Sequence, residues 1–209
     1  MYRCAKLWSI LLLGSAGVRL TSIFETPLEK GRGYIFMSNH QSMYDVPVLI
    51  SGMPGEVRFL TKKSLFRIPI FGWALHASGF IPVDRQDRRS GRRAMDDAAR
   101  LLERGVSVMI FPEQTRSPDG RILPFRRGAF LIARRAGVPI VPIGVRGTRD
   151  IRPKGSYWVR PGTVEVRYGA PVMPSSDQAE ERKHQIEEVR ATVARLADSD
   201  LAPARGRAS

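Results

Sequence analysis

The sequence predicts an α/β protein with a mixed, mostly parallel sheet flanked by helices and an N-terminal membrane-associated helix. Short apolar runs that are typical of buried strands recur along the chain, as at residues 34–37 and 106–111. Stretches typical of helices separate these runs, and such alternation indicates a parallel sheet. Two further strand-like runs flank Pro161-Gly162, a spacing typical of a hairpin, so we also expect an antiparallel portion.

The N-terminal segment is the first predicted element. Arg3 and Lys6 precede an uncharged run over residues 7–18. This run is shorter than the ~20 residues that a membrane-spanning helix needs. A basic start, an apolar middle and small residues at 14–17 are also typical of a cleaved signal peptide. We favour a helix lying in the membrane interface, with Trp8 near the headgroups and basic flanks facing anionic lipid.

The first half of the remaining chain alternates predicted strands with helical segments. A Pro54-Gly55 pair ends one helix, and Pro69 and Gly72 interrupt another. Pro82 places the strand around it at a sheet edge or a strand end. The expected strands are residues 34–37, 57–61 and 79–83, and the expected helices are residues 45–51 and, in pieces, 62–77.

The second half continues this alternation. One predicted helix has an apolar face, and Gly105 follows it where a C-cap belongs. Gly137 closes the next helix. The expected helices are residues 90–104, 128–136 and 177–197, and the expected strands are residues 106–111, 138–145 and the two hairpin strands 157–160 and 163–167.

The length of 209 residues suits one folded domain with a sizeable core. We divide the chain into an apolar, membrane-associated segment at residues 1–24, one folded domain at residues 25–198, and a basic tail at residues 199–209 that we expect to be disordered. Cys4 is the single cysteine, so neither an internal disulfide nor a cysteine metal cluster is possible.

The net charge of +14 predicts an anionic partner. A nucleic acid, a membrane surface and a phosphorylated substrate each fit this charge. No nucleic-acid-binding motif is evident, and aromatic residues are not interleaved along a basic face. We therefore expect an anionic membrane surface or a phosphorylated molecule as the partner, and no nucleic acid.

Three polar clusters directly follow predicted strands. They comprise residues 40–45, Asp84 with Arg85, and residues 113–117. Ligands of parallel α/β sheets bind beside the carboxyl ends of the strands. We therefore expect a single crevice to collect all three clusters.

His40 and Asp45 form the first candidate pair. If the chain turns sharply between them, the Asp45 carboxylate can hold the His40 imidazole as a general base. Two plainer interpretations stay open at this point. Asp45 can cap the helix that begins beside it, and His40 can be an ordinary loop histidine.

The other two clusters contain candidate phosphate ligands. Arg85 and Arg116 can each bind a phosphate through two hydrogen bonds. Glu113 can orient Arg116 or a substrate hydroxyl. The alternatives are a surface ion pair between Arg85 and a neighbouring aspartate and a plain polar turn at residues 117–120.

Several common chemistries have no motif in this chain. It lacks a Gly-x-Ser-x-Gly nucleophile elbow, a Gly-x-x-x-x-Gly-Lys phosphate loop and paired-histidine zinc spacing. The remaining candidate groups are a general base, a carboxylate that orients it, and arginines that bind an anion. Such a set suits activation of a hydroxyl on a phosphorylated molecule.

Four short motifs occur in order between residues 33 and 170. They are Asn39-His40 with Asp45, residues 79–85, residues 111–117 and residues 138–143. Together they resemble the four motifs of the glycerolipid acyltransferases, the family of 1-acyl-glycerol-3-phosphate acyltransferases. The third motif of that family usually reads Glu-Gly-Thr-Arg, and here Gln114 replaces the glycine. A side chain at this position is expected to narrow the site or to alter the choice of acceptor.

The resemblance implies transfer of a fatty acyl group from acyl-CoA or acyl carrier protein to the free hydroxyl of 1-acyl-glycerol-3-phosphate, which gives phosphatidic acid for phospholipid biosynthesis. His40 would be the general base, and Asp45 would fix its tautomer. Arg85 and Arg116 would bind the acceptor phosphate, with Glu113 arranging that pocket. The resemblance implies no metal and no bound redox cofactor.

The resemblance also bears on location and partners. The acceptor and product are membrane lipids and the acyl donors are cytoplasmic, which favours the cytoplasmic face of the cell membrane over export. Residues 138–143 would be structural or would wall the acyl site. Two alternatives remain: the same chemistry on another acceptor, such as lyso-ornithine lipid or glycerol-3-phosphate, and a non-catalytic protein that binds anionic lipid.

Overall fold

The computed structural model describes residues 2–84, 86–176 and 178–201, with the side chain of Arg88 excepted. Within these residues the strands are β1 (Val18–Phe24), β2 (Ile35–Ser38), β3 (Val57–Lys62), β4 (Ile81–Val83), β5 (Ser107–Ile110), β6 (Ile140–Arg146) and β7 (Gly162–Tyr168). They form one seven-stranded sheet in the order β1-β7-β6-β2-β5-β3-β4.

Helices cover both faces of this sheet. The described helices are α1 (Tyr2–Ser15), α2 (Asp45–Gly52), α3 (Phe71–Ala77), α4 (Arg88–Glu103), α5 (Gly128–Ala136), α6 (Thr148–Ile151) and α7 (Ala179–Ala197), and a 3-10 helix at Lys63–Arg67 precedes α3. Most predicted elements are confirmed with small shifts at their ends. Pro82 was expected at a sheet edge or at a strand end, and the first of these holds, because β4 is the edge strand of the sheet.

Two apolar layers hold the helices in place. One layer packs α1, α2 and α3 against the sheet through side chains such as Leu13, Leu49 and Leu75. The other packs α4, α5 and α7 through side chains such as Leu102 and Val193. Every residue of β2 and β5 is buried, since each strand is covered on both faces. This explains their continuous apolar sequences.

The α/β prediction with a mixed, mostly parallel sheet is confirmed. Strands β2, β3, β4, β5 and β6 all run parallel to one another. The antiparallel contact lies between β6 and β7, and β1 then pairs parallel with β7.

The predicted hairpin around Pro161-Gly162 is wrong. Residues 157–160 form no strand, because their backbone groups bond within a loop: the Trp158 N–H donates to Ser156 Oγ at 3.1 Å, and the Arg160 N–H donates to the Ile151 carbonyl at 2.9 Å. Both edges of β7 are already paired, with β6 on one side and β1 on the other.

The N-terminal segment divides into a helix and a strand of the sheet. Residues 18–24, which we assigned to the segment before the folded domain, pair with β7 along the whole of β1. Helix α1 packs on α2, and Lys6 Nζ donates to the Met53 carbonyl at 2.9 Å. Its outer side exposes Leu7, Trp8, Ile10 and Leu11. No helix among the described residues is both long enough and apolar enough to cross a membrane.

The last described residues, 200 and 201, contact the folded domain. Leu201 pairs with Ile122, and the Ile122 N–H donates to the Asp200 carbonyl at 2.8 Å. Residues 202–209, and with them most of the predicted tail, lie outside the described residues. Asp177, which we predicted as the first residue of the last helix, also lies outside them.

Candidate active site

The carboxyl ends of β2, β3, β4 and β5 surround an open cavity of about 740 Å³, which we call the binding cavity. His40 lies beyond β2, Asp84 follows β4, and Phe111, Gln114 and Arg116 follow β5. All five side chains line the cavity. For the described residues, the prediction that one crevice collects the three polar clusters is confirmed.

Asp45 holds the His40 imidazole. The Nδ1 of His40 lies 2.7 Å from the Oδ2 of Asp45. The Asp45 side chain is fully buried, whereas that of His40 is 19% exposed. Because a carboxylate only accepts hydrogen bonds, Nδ1 carries the proton of the neutral ring. The Nε2 of His40 is therefore the nitrogen that can accept a proton from a molecule in the cavity.

Asp45 is also the buried centre of its own loop. Its Oδ2 accepts hydrogen bonds from the backbone N–H groups of Gln41 at 2.7 Å and Ser42 at 2.9 Å. Its Oδ1 accepts a hydrogen bond from the hydroxyl of Thr148. These donors satisfy a carboxylate that has no access to water and fix its orientation toward His40.

The alternative that Asp45 caps α2 is wrong. The N-cap position belongs to Tyr44, which makes no capping hydrogen bond with its side chain, and Asp45 is the first helical residue. The Asp45 carboxylate turns back toward the N–H groups that precede the helix. Its negative charge still lies at the positive end of the helix dipole, which is a favourable place for it.

The loop after β5 supports His40 from the other side. The Phe111 ring stacks on the imidazole, with 4.0 Å between ring centroids and 16° between the ring planes. The Oε1 of Glu113 accepts the His40 backbone N–H at 2.7 Å, and the His40 carbonyl accepts the Ser117 N–H at 2.7 Å. The two loops therefore fix each other's position at His40.

Glu113 lies behind the cavity rather than in its wall. Its side chain is buried, and its Oε2 accepts the Leu123 N–H at 3.0 Å. Burial raises the pKa of Glu113 to about 8, against the opposing effect of its two N–H donors, Leu123 and His40. We predicted Glu113 as a residue of the phosphate pocket. In the structure its contact at the site is with the His40 backbone N–H, and it does not line the binding cavity.

Arg116 lies in the wall of the binding cavity. Its backbone carbonyl accepts a hydrogen bond from Lys154 Nζ at 2.9 Å, but its guanidinium makes no hydrogen bond or ion pair within the described part of the chain. It is therefore available to an anion in the cavity, which Lys62 and Lys63 also line. Arg85, the other predicted phosphate ligand, lies outside the described residues.

The fourth motif is buried in the sheet. Strand β6 lies between β7 and β2, and residues 138–143 do not line the binding cavity. These residues therefore have a structural position in the sheet, which agrees with the first of the two roles expected for them. Asn39 prolongs the pairing of β2 with β6, because its side-chain amide exchanges two 2.8 Å hydrogen bonds with the Val145 backbone.

The sequence analysis missed two residues of this site. Thr148 is separated from Asp45 by 103 positions and carries no local signal that connects the two. Phe111 did carry a signal, since it is an aromatic residue at the exit of a strand, directly before a polar cluster. No group of three or more His, Cys, Asp or Glu side chains among the described residues is arranged to hold a metal ion.

Gln114 has a left-handed backbone conformation, with φ 63°. Residues with a side chain seldom adopt this conformation, whereas glycine does so readily. The geometry thus explains the glycine that is usual at this position of the motif. In this chain the glutamine side chain both strains the loop and takes up space in the binding cavity.

The raised pKa of Glu113 predicts a pH-dependent stability. A carboxyl whose pKa is about 8 when folded and 4.5 when unfolded favours folding below pH 4.5 and loses that contribution as the pH rises to 8. The free energy of unfolding of the wild type, minus that of Glu113→Gln, should fall across this window by at most about 1.4 kcal/mol per pH unit. Urea titrations at several pH values measure it, with exposed Glu103→Gln as the charge control. If the difference between the two free energies of unfolding does not change with pH, the N–H groups of Leu123 and His40 keep the Glu113 carboxylate ionised.

The strain at Gln114 predicts that Gln114→Gly stabilises the protein by about 1 kcal/mol, because glycine accepts positive φ without a steric cost. Thermal unfolding measures the change. Gln86→Gly is the matched control, since Gln86 also lines the cavity but has no positive φ. That control should lower the melting temperature, because glycine gains more chain entropy on unfolding. Equal losses in both variants would contradict the strain at Gln114.

Comparison with known sequences agrees with the geometry. The Acyltransferase family matches residues 19–146, from the start of β1 to the end of β6. A chloroplastic 1-acyl-sn-glycerol-3-phosphate acyltransferase of Brassica napus is 42% identical over 142 residues, which are 68% of this chain and 41% of that protein. A chloroplastic enzyme of the same name from Arabidopsis thaliana is 38% identical over 170 residues, which are 80% of this chain and 47% of that protein. The chain thus spans about half the length of these curated relatives.

A solved structure has the same fold. The 1-acyl-sn-glycerophosphate acyltransferase PlsC of Thermotoga maritima superimposes with a TM-score of 0.77 at 29% sequence identity. The match covers 97% of this chain and 81% of the Thermotoga chain. With residues of the first three motifs lining one cavity and the family match extending over most of the sheet, this chain belongs to the Acyltransferase family.

Proposed function

We propose that the protein is a 1-acylglycerol-3-phosphate O-acyltransferase. It transfers a fatty acyl group from a thioester donor to the free hydroxyl of 1-acyl-glycerol-3-phosphate and forms phosphatidic acid. The observation that carries the proposal is the 2.7 Å contact of His40 Nδ1 with Asp45 Oδ2 in the wall of a cavity that also exposes Arg116. The names of the matched relatives describe the same reaction.

The pair performs the proton transfers of this reaction. His40 Nε2 takes the proton of the acceptor hydroxyl while the oxygen attacks the thioester carbonyl. The C–O bond forms, the tetrahedral intermediate collapses, and the C–S bond breaks. The imidazolium, which Asp45 stabilises, then protonates the departing thiolate and returns to its neutral form.

The cavity also suits the acceptor's charge. The Arg116 guanidinium and the ammonium groups of Lys62 and Lys63 are cations on the lining of the binding cavity. A phosphate monoester is the acceptor group that such a lining binds best. We therefore propose a phosphorylated acceptor rather than lyso-ornithine lipid, with Arg116, and by its motif Arg85, as the phosphate ligands.

The proposed donor is acyl-CoA or acyl carrier protein, because both present the acyl group as a thioester. The steps above need only a base and a thiolate leaving group, so we propose no metal and no redox cofactor. Both donors are made in the cytoplasm, and the acceptor is a membrane lipid. We therefore propose that the enzyme works at the cytoplasmic face of the cell membrane.

Helix α1 is our candidate for membrane attachment. It buries Tyr2, Ser9 and Leu13 and exposes its other side. That outer side carries the four large apolar residues Leu7, Trp8, Ile10 and Leu11. A helix with this division of side chains is suited to lie in the interface of a bilayer.

The catalytic proposal is tested with purified protein, lysophosphatidic acid and acyl-CoA, by the release of free thiol. His40→Ala should abolish thiol release. Thr148→Val should lower kcat roughly tenfold to a hundredfold with little change in KM for the acceptor, because a buried carboxylate loses a hydrogen bond worth about 1.5–3 kcal/mol.

Thr148→Ser is the matched control, because it keeps the hydroxyl and should retain most of the activity. Circular dichroism shows whether each variant is folded. Full activity in His40→Ala would refute the mechanism, and equal losses in Thr148→Ser and Thr148→Val would remove the hydroxyl from it.

The attachment proposal is tested by sedimentation with phosphatidylglycerol-containing vesicles. Trp8→Ser combined with Leu11→Ser should weaken vesicle binding roughly tenfold, since two exposed apolar side chains no longer enter the interface. Met173→Ser removes an exposed apolar side chain at a position whose backbone carbonyl accepts a hydrogen bond from Gln185 of α7, and it should leave binding unchanged. Unchanged binding of the α1 variant would rule α1 out.

A further inference from the structure

A cluster of exposed apolar side chains lies beside the binding cavity, where the 3-10 helix leads into α3. Ile68, Ile70, Phe71 and Trp73 are 46%, 76%, 43% and 73% exposed, and we call them the α3 patch. Single exposed apolar residues are normal on protein surfaces, but four of them within six residues mark an interaction site.

The backbone that carries the α3 patch is strained at Ile70. Ile70 has φ 66° and ψ −55°, and the Phe71 N–H donates to the Pro69 carbonyl at 2.7 Å, which closes a tight γ-turn. A β-branched residue seldom adopts positive φ. A strained apolar residue that faces water has no role in packing the domain, which points to a role outside it.

Contacts on the buried side of this turn fix its position. Gly72 lies so close to the Phe66 backbone that a Cβ atom there would approach the Phe66 carbonyl oxygen to 2.1 Å. Leu75 of α3 is buried in the apolar layer beneath. The patch is therefore the outer side of an anchored element, and its side chains project from a fixed base.

The charges around the patch identify its partner. Residues 57–83 contain no aspartate and no glutamate. Lys62, Lys63 and Arg67 are exposed in this stretch. Apolar and aromatic side chains flanked only by cations are complementary to the headgroups and upper acyl chains of an anionic bilayer. An acidic protein partner would match the cations but would leave the four apolar side chains without contacts.

The α3 patch closely follows residues that line the binding cavity. Lys63, Ser64 and Leu65 of the adjoining 3-10 helix line the binding cavity. Helices α1 and α3 also pack on the same face of the sheet. We propose that the α3 patch is a second lipid-contact surface, which places the mouth of the binding cavity on an anionic membrane. The reason for such placement rests on the proposed function, because a lipid acceptor must pass from the bilayer into the cavity.

The direct test uses Trp73 as a reporter in the full chain. The chain has three tryptophans, and Trp8→Phe with Trp158→Phe leaves Trp73 alone. Its fluorescence should shift to shorter wavelength with phosphatidylcholine vesicles that contain phosphatidylglycerol, and brominated lipid should quench it. Vesicles of phosphatidylcholine alone should give a smaller change. An unchanged emission spectrum in the presence of both kinds of vesicle would overturn the proposal.

A second test separates binding from folding. Ile70→Gly with Trp73→Ser should weaken vesicle binding roughly tenfold, because two exposed apolar side chains are lost. Thermal stability should not fall, since glycine relieves the strain at position 70. Met173→Ser with Leu201→Ser, two exposed apolar side chains beside α7, is the matched control and should bind as the wild type does.

Activity assays distinguish this proposal from the proposed function. With the acceptor dispersed in detergent, the α3 variant should keep wild-type activity, and with the acceptor in vesicles it should lose activity in proportion to binding. If the variant binds vesicles normally but loses activity only with acyl carrier protein as donor, the patch docks that protein and the lipid proposal is wrong. If no enzyme form acylates lysophosphatidic acid, the proposed function fails, while Trp73 still reports lipid contact.

Discussion

The buried carboxylate of Asp45 is the constraint on which the site depends. It has no contact with water, so each of its lone pairs must be satisfied by the protein. The donors come from two parts of the chain: the His40 ring with the backbone at Gln41 and Ser42, and the Thr148 hydroxyl. One group thereby fixes the turn after β2, the start of α2 and the short α6 that follows β6. The orientation of His40 follows from satisfying Asp45.

The sheet makes this arrangement possible. Strands β2, β5 and β6 are adjacent and parallel, so their carboxyl ends deliver His40, Glu113 and Thr148 to the same edge. Glu113 then connects the second loop to the first through the His40 backbone. The Glu113 carboxyl group contacts the His40 backbone from behind and the Phe111 ring contacts the imidazole from the side, while Arg116 and the lysines line the cavity in front. The proposed catalytic base and the proposed anion-binding groups therefore lie at separate positions of the site, although Glu113 and Arg116 are only three residues apart in the sequence.

Of the three described non-glycine residues with positive φ, Asp198 caps the end of α7, and the other two lie where function is inferred. Gln114 and Ile70 both have positive φ. The first faces the binding cavity, and the second faces solvent beside the cavity mouth. Neither conformation improves the packing of the core, which is complete without either side chain. Such sites persist because the surrounding structure over-determines them. In this fold both belong to loops braced by neighbouring backbone, Gln114 by the His40 loop and Ile70 by the contact of Gly72 with Phe66.

The sequence by itself determined the strands and helices between residues 34 and 145 and the clustering of polar residues at one edge, because periodicity and turn residues are local properties. Pro82 limited its strand to two positions, a sheet edge or a strand end. The sequence also contained the His40 and Asp45 pair, since five positions and a turn suffice to join them. Only the tertiary structure decided what is non-local. Strand β7 pairs with β1 and β6 rather than with its predicted hairpin partner, Glu113 supports a backbone N–H instead of lining the cavity, and Thr148 reaches Asp45 across 103 positions. Each of these depends on which segments the sheet brings side by side, and no local pattern encodes that.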